Sequence, residues 1–283
     1  MRFVRYEREW KGQWGIVDGD TVFELHGDVF EVPRPGDRVG ALSELALLAP
    51  CTPETIWSNG ANYPSRCDER GFDYPTVPAV AVVAGSSICG TRVDVRIPEF
   101  ERRIEYGVEL ALVIGKDCRD VEESDADDHI FGYTGLNNIW VKDVGEKGAY
   151  TRPLRVYDNH CPTGLILDTE VDWRTQQVRL WVDGELRQDD STSTMFFSPQ
   201  LLVSFISKQV TLKRGDVLMT GSPGGIEGKW LRFGQTVELE VGDLGRIRNR
   251  IVRADTAAVS YVISLKKWVE QQASQRELVP TSF

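Results

Sequence analysis

Histidine and paired cysteines are scarce in this chain of 283 residues, and acidic residues outnumber basic ones by 43 to 33. The three histidines are His26, His129 and His160, too few for a histidine-rich metal centre. The five cysteines are an odd number, widely spaced and without a C-x-x-C pair. Because disulfide frameworks and structural zinc sites need paired cysteines, we expect a reduced, cytoplasmic protein without structural zinc.

Two further absences concern binding partners. The formal net charge is −10, whereas a nucleic-acid-binding protein needs a basic face to neutralise phosphates. No apolar run approaches the ~20 residues that a membrane-spanning helix requires, and the first residues lack the apolar stretch of a signal peptide. We therefore expect neither nucleic acid nor a membrane as a partner.

The remaining composition is that of an ordinary soluble protein, with 41% hydrophobic and 27% charged residues. Local patterns predict a β-rich chain. Asp18-Gly19 predicts a hairpin, Pro33–Gly36 a loop, and Ser198-Pro199 a helix start with serine as the N-cap. The chain from Ala254 onward has the apolar spacing of a helix.

The run Glu105-Tyr-Gly-Val-Glu-Leu-Ala-Leu-Val-Ile-Gly115 alternates with a period of two and predicts one continuous strand. One face, which includes Tyr106 and Leu110, is apolar and belongs in the core. The other face carries Glu109 and is expected to border something polar or wet.

This run resembles the signature D-Y-E-x-E-L-A-V-V-I-G of the fumarylacetoacetate hydrolase family, in which both glutamates are metal ligands. Three more segments, in the family's order, resemble its motifs: 60–69 (G-x-N-Y-x-x-H-x-x-E), 132–143 (G-Y-T-x-x-N-D-x-S-x-R-D) and 220–225 (T-G-T-P-x-G). The resemblance implies a mixed, β-rich α+β fold: the family's C-terminal-domain fold with a small N-terminal β domain. It also implies a homodimer.

On this basis we expect a small N-terminal β-rich domain at 1–52, a catalytic-type domain at 53–253 and a C-terminal helical extension at 254–283.

The sequence departs from the family at four positions near the expected chemistry. The first metal-binding glutamate falls on Gly107, and the third ligand, an aspartate, falls on Asn138. The histidine that activates water in hydrolytic members is replaced by Arg66, whose guanidinium cannot act as a base near neutral pH. A family lysine falls on Val83, which we expect in a plain buried strand.

These departures predict that no metal cofactor is used. Of three carboxylate ligands only Glu109 remains, and Mg²⁺ prefers several charged oxygens in octahedral geometry. Glu109 alone should hold Mg²⁺ weakly or not at all. Proton transfer would then depend on Glu69 or Glu109, although Glu69 could equally be a surface carboxylate.

Other positions retain the family's substrate-binding pattern. The resemblance assigns the carboxylate end of the substrate to Gln188 and to Gly221 and Ser222 of the glycine-rich loop. The cations Arg66, Lys142 and Arg155 could neutralise an anionic substrate in place of the metal. Asn138 completes the set of predicted substrate-binding residues.

Three hypotheses follow. The first is a metal-independent lyase, isomerase or cyclase for a small anionic oxo-acid or β-dicarbonyl compound, in a specialised biosynthetic pathway. The second is a ligand-binding homologue without catalysis. The third is an orthodox Mg²⁺-dependent acylpyruvate hydrolase or oxaloacetate decarboxylase whose ligands are misaligned above.

Overall fold

The computed structural model of the protein describes residues 1–98, 103–141 and 157–254, together with Trp268 and Gln271. Within these parts the chain forms twenty β-strands and two short α-helices, which confirms the predicted β-rich α+β class. The helices are α1 (Pro64–Arg70) and α2 (Pro199–Ser207). The strands are β1 (Arg2–Arg8), β2 (Lys11–Asp18), β3 (Thr21–His26), β4 (Arg34–Ala41), β5 (Leu47–Leu48), β6 (Thr55–Gly60), β7 (Ala79–Ala84), β8 (Ile88–Cys89), β9 (Val95–Ile97), β10 (Ile104–Glu105), β11 (Val108–Ile114), β12 (Ile130–Asn137), β13 (Trp140–Val141), β14 (Cys161–Pro162), β15 (Leu167–Asp168), β16 (Gln177–Val182), β17 (Glu185–Ser191), β18 (Val217–Met219), β19 (Thr236–Val241) and β20 (Arg246–Arg253).

The larger of two main sheets contains eleven strands in the order β4-β3-β2-β1-β15-β12-β11-β18-β6-β7, with β5 paired to β1. The antiparallel meander of β1 to β4 extends this sheet because β1 pairs with β15, Arg2 opposite Asp168. The second sheet has the order β17-β16-β19-β20-β9. The N-terminal strands thus continue the sheet that carries the signature segment.

The signature segment forms two strands, β10 and β11, rather than the one predicted. β11 lies at the centre of the eleven-stranded sheet, between β12 and β18, whereas β10 pairs with β13 in a separate two-stranded sheet. The apolar face with Leu110 and Leu112 packs into the main core as expected, but the other face is also buried, with Ala111 and Val113 in a second apolar cluster. A strand covered on both sides leaves Glu109 only 1% exposed. The face is therefore not wet, but at Glu109 it borders polar groups, Asn138 and Ser222, as one of the two predicted alternatives states.

Several local predictions are confirmed. The hairpin through Asp18-Gly19 joins β2 to β3, and the Ser198 hydroxyl accepts a hydrogen bond from the backbone of Leu201 at 3.0 Å, as an N-cap does. The loop predicted at Pro33–Gly36 is wrong, because β4 begins at Arg34. As an edge strand, β4 tolerates Pro35, which cannot donate to a ladder.

Val83 lies in a strand as predicted, but β7 is the edge strand of the sheet and is not buried: Ala79, Ala81 and Val82 are exposed. The predicted C-terminal extension lies outside the described residues except for Trp268 and Gln271, which are helical. No helix in the described ranges has the length and apolarity needed to traverse a membrane.

Candidate active site

The predicted site centres on Glu109, the second residue of β11 and the last polar side chain of the signature run. Its Oε1 accepts hydrogen bonds from the Asn138 amide at 2.8 Å and from the Ser222 hydroxyl at 2.9 Å. Its Oε2 accepts one from the backbone N–H of Gly221 at 2.7 Å. A carboxylate offers about four lone-pair sites, so Oε2 keeps one acceptor position that no described residue fills.

The environment of Glu109 sets its protonation near neutrality. Burial raises the pKa of Glu109 from its ordinary 4.5 to about 7, while hydrogen bonds from Asn138, Gly221 and Ser222 lower it in part. Asn138 and Ser222 are half-buried and mark the side on which solvent reaches the cluster. Glu109 can therefore exist as acid or base at physiological pH.

Gly107 is accommodated by a serine from a distant segment. A Cβ atom at position 107 would overlap Ser222 Oγ and lie 2.7 Å from Ser222 Cβ. Cβ atoms in proteins do not approach other atoms so closely. The Ser222 side chain, which donates to Glu109, therefore occupies the space that a side chain at position 107 would need. Gly107 and Ser222 thus form a complementary pair.

The described residues do not fit a divalent cation at these positions. Gly107 contributes no side chain, and Asn138 presents its N–H₂ group towards Glu109, a donor that repels a cation. Among the described residues no three His, Cys, Asp or Glu side chains converge in a way that could hold a metal ion. Three neutral hydrogen-bond donors, Asn138, Gly221 and Ser222, surround the Glu109 carboxylate instead.

The loop 221–225 positions two of these donors through backbone conformations that favour glycine. Gly221 has φ of 106° and Gly225 has φ of 113°. The amide of Gln188 holds the loop in place: its Nε2 donates to Pro223 O at 2.6 Å and its Oε1 accepts from Val108 N at 2.9 Å. Both ends of this buried amide are occupied by backbone, so Gln188 positions the loop rather than offering a free amide to a substrate.

Tyr63 is a site residue that the sequence analysis missed. It is fully buried, and its hydroxyl has no hydrogen-bond partner among the described residues. Burial raises the pKa of Tyr63, and the negative charges of Glu109 and Asp190 raise it further. The hydroxyl therefore remains protonated and lies within electrostatic range of Glu109. The signal was available, since the tyrosine follows the asparagine of the 60–69 motif.

Arg66 and Glu69 lie together in an ion-pair cluster at α1. Arg66 is the third residue of α1 and is buried. Its guanidinium is 3.1 Å from Glu69, 3.6 Å from Glu227 and 3.9 Å from Glu105. Arg70 adds contacts of 2.5 Å to Glu105 and 2.7 Å to Glu227. Three carboxylates surround two guanidinium groups, so this cluster does not leave Arg66 as a counter-charge for an anionic substrate.

Glu69 has a structural contact as well. Its Oε1 accepts a hydrogen bond from the backbone N–H of Glu227 at 2.9 Å, which ties α1 to the segment after the glycine-rich loop. Of the predicted site residues, the structure therefore brings together Glu109, Asn138, Gly221 and Ser222. Lys142 and Arg155 lie outside the described residues.

The fold of this chain is similar to that of solved structures. A mycobacterial structure, the 2-hydroxyhepta-2,4-diene-1,7-dioate isomerase from Mycobacterium marinum, matches with a TM-score of 0.80 and 29% identity over 89% of this chain and 98% of that one. The 5-carboxymethyl-2-hydroxymuconate delta-isomerase from Mycobacterium smegmatis matches with a TM-score of 0.79 and 28% identity, covering 90% of this chain and all of that one.

The sequence comparisons agree with the fold. Residues 55–252 match the sequence model of the fumarylacetoacetate (FAA) hydrolase C-terminal domain, and residues 1–50 match the Rv2993c-like N-terminal domain. The chain belongs to the fumarylacetoacetate hydrolase family, as the sequence motifs predict. The mitochondrial oxaloacetate tautomerase fahd2 of Xenopus laevis is 35% identical over 221 residues, covering 74% of this chain and 69% of that protein.

Proposed function

We propose that this protein is a tautomerase or isomerase of a small anionic oxo-acid, and that Glu109 transfers the proton without a divalent metal. The observation that carries the proposal is the Glu109 carboxyl itself. It is buried, has a pKa of about 7, and is held by three donors where the family resemblance implies a cation. A general base is most effective when its pKa lies near the working pH.

The proposed step is a proton shift between carbon and oxygen. Oε2 of ionised Glu109 takes a proton from the carbon next to the substrate carbonyl, and the C–H electron pair forms the C=C bond. The carbonyl π pair becomes the enolate oxygen lone pair. Glu109, now a carboxylic acid, returns the proton to that oxygen, so the enol contains the same atoms as the ketone.

Neighbouring groups would support this step. An enolate needs hydrogen-bond donors where its charge develops, and the Tyr63 hydroxyl is a buried donor without an acceptor among the described residues. Asn138, Ser222 and the Gly221 N–H fix the orientation of the carboxyl. The cations for the substrate carboxylates remain the predicted Lys142 and Arg155.

Three of the relatives are enzymes of this reaction class. The Xenopus protein is an oxaloacetate tautomerase, and the two mycobacterial proteins are isomerases. A tautomerisation or isomerisation moves protons and needs no activated water. This agrees with Arg66, which stands where hydrolytic members have a histidine. A hydrolase would require that histidine as the base that activates water.

The proposal is tested by following the ultraviolet absorbance of enol-oxaloacetate with protein that has been stripped of metal by a chelator. We expect turnover without added metal, and a loss of about 100-fold or more in kcat for Glu109→Gln. The matched control is Glu31→Gln, an exposed glutamate on the N-terminal meander, which should leave kcat unchanged.

Two outcomes would refute the proposal. Turnover that disappears on chelation and returns with one equivalent of Mg²⁺ would identify an orthodox metal-dependent enzyme. Binding of oxo-acids without turnover of oxaloacetate or of the hydroxymuconate-type diacids would identify a non-catalytic homologue.

A further inference from the structure

A second set of hydrogen bonds holds the glycine-rich loop 221–225, and it begins on β17. Side chains two positions apart on a strand lie on the same face, so Asp190 is on the face of β17 that carries Gln188. Its Oδ2 accepts a hydrogen bond from the Ser65 hydroxyl at 2.6 Å. Ser65 Oγ in turn accepts one from the backbone N–H of Gly224 at 3.1 Å. β17 is thus linked to the loop twice, directly through Gln188 and indirectly through Asp190 and Ser65.

The direction of these hydrogen bonds follows from the groups that form them. An ionised carboxylate only accepts, so the Ser65 hydroxyl donates its single proton to Asp190. The lone pairs of the hydroxyl oxygen remain for the N–H of Gly224, which can only donate. A hydroxyl that donates to a carboxylate becomes a stronger acceptor itself. Asp190 therefore strengthens the hydrogen bond between Ser65 and the loop.

The other oxygen of Asp190 is held by its own strand end. Oδ1 accepts from the backbone N–H of Ser191 at 2.7 Å and from the Thr194 hydroxyl at 3.0 Å. The adjacent Asp189 lies on the opposite face of β17, where its carboxylate is exposed and 3.1 Å from Arg179. These two neighbouring carboxylates thus have separate contacts, and Asp189 is a matched control for Asp190.

Glycine at two positions lets the loop lie directly against the backbone on both sides. A Cβ atom at Gly224 would overlap the carbonyl oxygen of Ser65, and one at Gly225 would overlap that of Arg187. Only glycine permits so close an approach. The loop is therefore enclosed between the first turn of α1 and β17, and the Gly224 hydrogen bond fixes its position between them.

The same loop presents two of the three donors to Glu109. The N–H of Gly221 donates at 2.7 Å and the Ser222 hydroxyl at 2.9 Å, and one residue separates Ser222 from Gly224. Hydrogen bonds weaken steeply as their angle and distance depart from the optimum. A small displacement of the loop at Gly224 would therefore change how the Glu109 carboxyl is held.

We propose that Ser65 and Asp190 are positioning residues of the candidate active site. They hold Gly224, and with it the loop donors that orient Glu109, so they act through the loop and not on the substrate. The inference rests on the proposed function in one respect, since an effect on turnover presupposes that Glu109 transfers the proton.

The first test requires no turnover. It follows the backbone amide resonances of the full chain by NMR after labelling of its glycines with a nitrogen isotope. Ser65→Ala should shift the Gly224 amide proton upfield, because its acceptor is lost, and should also shift that of Gly221, whose acceptor is Glu109. Ser65→Thr keeps a hydroxyl and should restore both. Gly184, in the turn between β16 and β17, is the control and should not shift.

The second test is the kinetics of oxaloacetate tautomerisation. Ser65→Ala should lower kcat about tenfold or more with KM unchanged, because a misplaced reacting group reduces rate and not ground-state binding. Asp190→Asn should lower kcat about threefold, since an amide oxygen is a weaker acceptor than a carboxylate, and Asp189→Asn should leave it unchanged. Because Asp190 acts through Ser65, Asp190→Asn should cause no further loss in the Ser65→Ala background.

Two results would overturn the inference: a Gly221 resonance in Ser65→Ala that coincides with that of the wild type, or equal kcat values for Asp190→Asn and Asp189→Asn. If the wild type does not turn over oxaloacetate, the proposed function fails, and the Gly221 resonance alone decides whether Ser65 positions the loop. If thermal melts show that Ser65→Ala does not fold, Asp190→Asn compared with Asp189→Asn takes its place in both tests.

Discussion

Replacing Glu109 by glutamine should flatten the pH dependence of the stability of this protein. Glu109 is 1% exposed, and burial raises its pKa from 4.5 to about 7. Between these two pH values the folded chain keeps this carboxyl protonated while the unfolded chain ionises it. The folded state thus binds more protons, and the free energy of unfolding falls as the pH rises.

The magnitude follows from the two pKa values. Each pKa unit corresponds to about 1.4 kcal/mol, so this group contributes about 3 kcal/mol that is fully present below pH 4.5 and is lost as the pH rises through 7. Between pH 5 and pH 8 the wild type should lose about 2–3 kcal/mol on account of Glu109. Glutamine does not titrate and should lose none of this amount.

The assay is urea denaturation of wild type and Glu109→Gln at pH 5, 6, 7 and 8, with Glu31→Gln as the control. Other titrating groups contribute equally to all three proteins, so the quantity of interest is the difference between variant and wild type across the pH range. If this difference is the same at pH 5 and pH 8, within the error of the extrapolation, Glu109 does not titrate near 7 and the argument from burial is refuted.

Three further predictions concern the same region. Ser222→Ala removes one hydrogen bond to Glu109 and should raise the pKa of that carboxyl, moving the midpoint of the pH–rate profile upward; a profile identical to that of the wild type would contradict this. Gly107→Ala should destabilise the fold by about 1–3 kcal/mol, because the added Cβ overlaps Ser222. In a double-mutant cycle, Ser222→Gly should recover part of that loss. Strictly additive losses would show that the two residues do not compete for space. Arg66→Gln leaves buried carboxylates uncompensated and should lower the free energy of unfolding, measured by urea denaturation, by about 3 kcal/mol. The control Arg179→Gln, whose ion pair is exposed, should lower it by less than about 1 kcal/mol. Equal decreases would rule out a structural role for the Arg66 cluster.

Local sequence signals predicted the elements that depend on nearby residues. The Ser198 cap, the Asp18-Gly19 hairpin and the period of two in β11 are properties of a few neighbouring residues, and the structure confirms them. Helix α1 was missed although Pro64 at its first position and Gly71 at its end, with φ of 64°, are ordinary boundary signals.

Positions that depend on the whole sheet were not predictable from local pattern. An apolar run such as Ala79–Ala84 suits a buried strand, but whether it lies in the centre or at the edge of a sheet depends on strand order. Likewise, the alternation of β11 correctly identified its two faces, while the burial of both follows from its central place between β12 and β18.

In the candidate site, too, some features were predictable from the sequence and others depend on the tertiary structure. The family motifs identified Glu109, Asn138, Gly221 and Ser222, which the structure brings into one hydrogen-bonded group. The complementarity of Gly107 and Ser222 joins residues 115 positions apart in the chain, and no local pattern contains it.

The interpretation of Arg66 as a counter-charge failed for a comparable reason. The glutamates that surround it come from three separate segments: Glu69 on its own helix, Glu105 on β10 and Glu227 after the glycine-rich loop. Their convergence is a property of the tertiary structure.

The central claim is that a buried carboxyl, and not a divalent cation, carries the proton in this site. It is tested most directly by the pH dependence of kcat/KM for oxaloacetate tautomerisation with metal-stripped protein. We expect that activity persists without metal and rises with pH to a plateau with a midpoint near 7, where Glu109 ionises. Activity that is absent from the stripped protein and restored by Mg²⁺ or Mn²⁺ would contradict it.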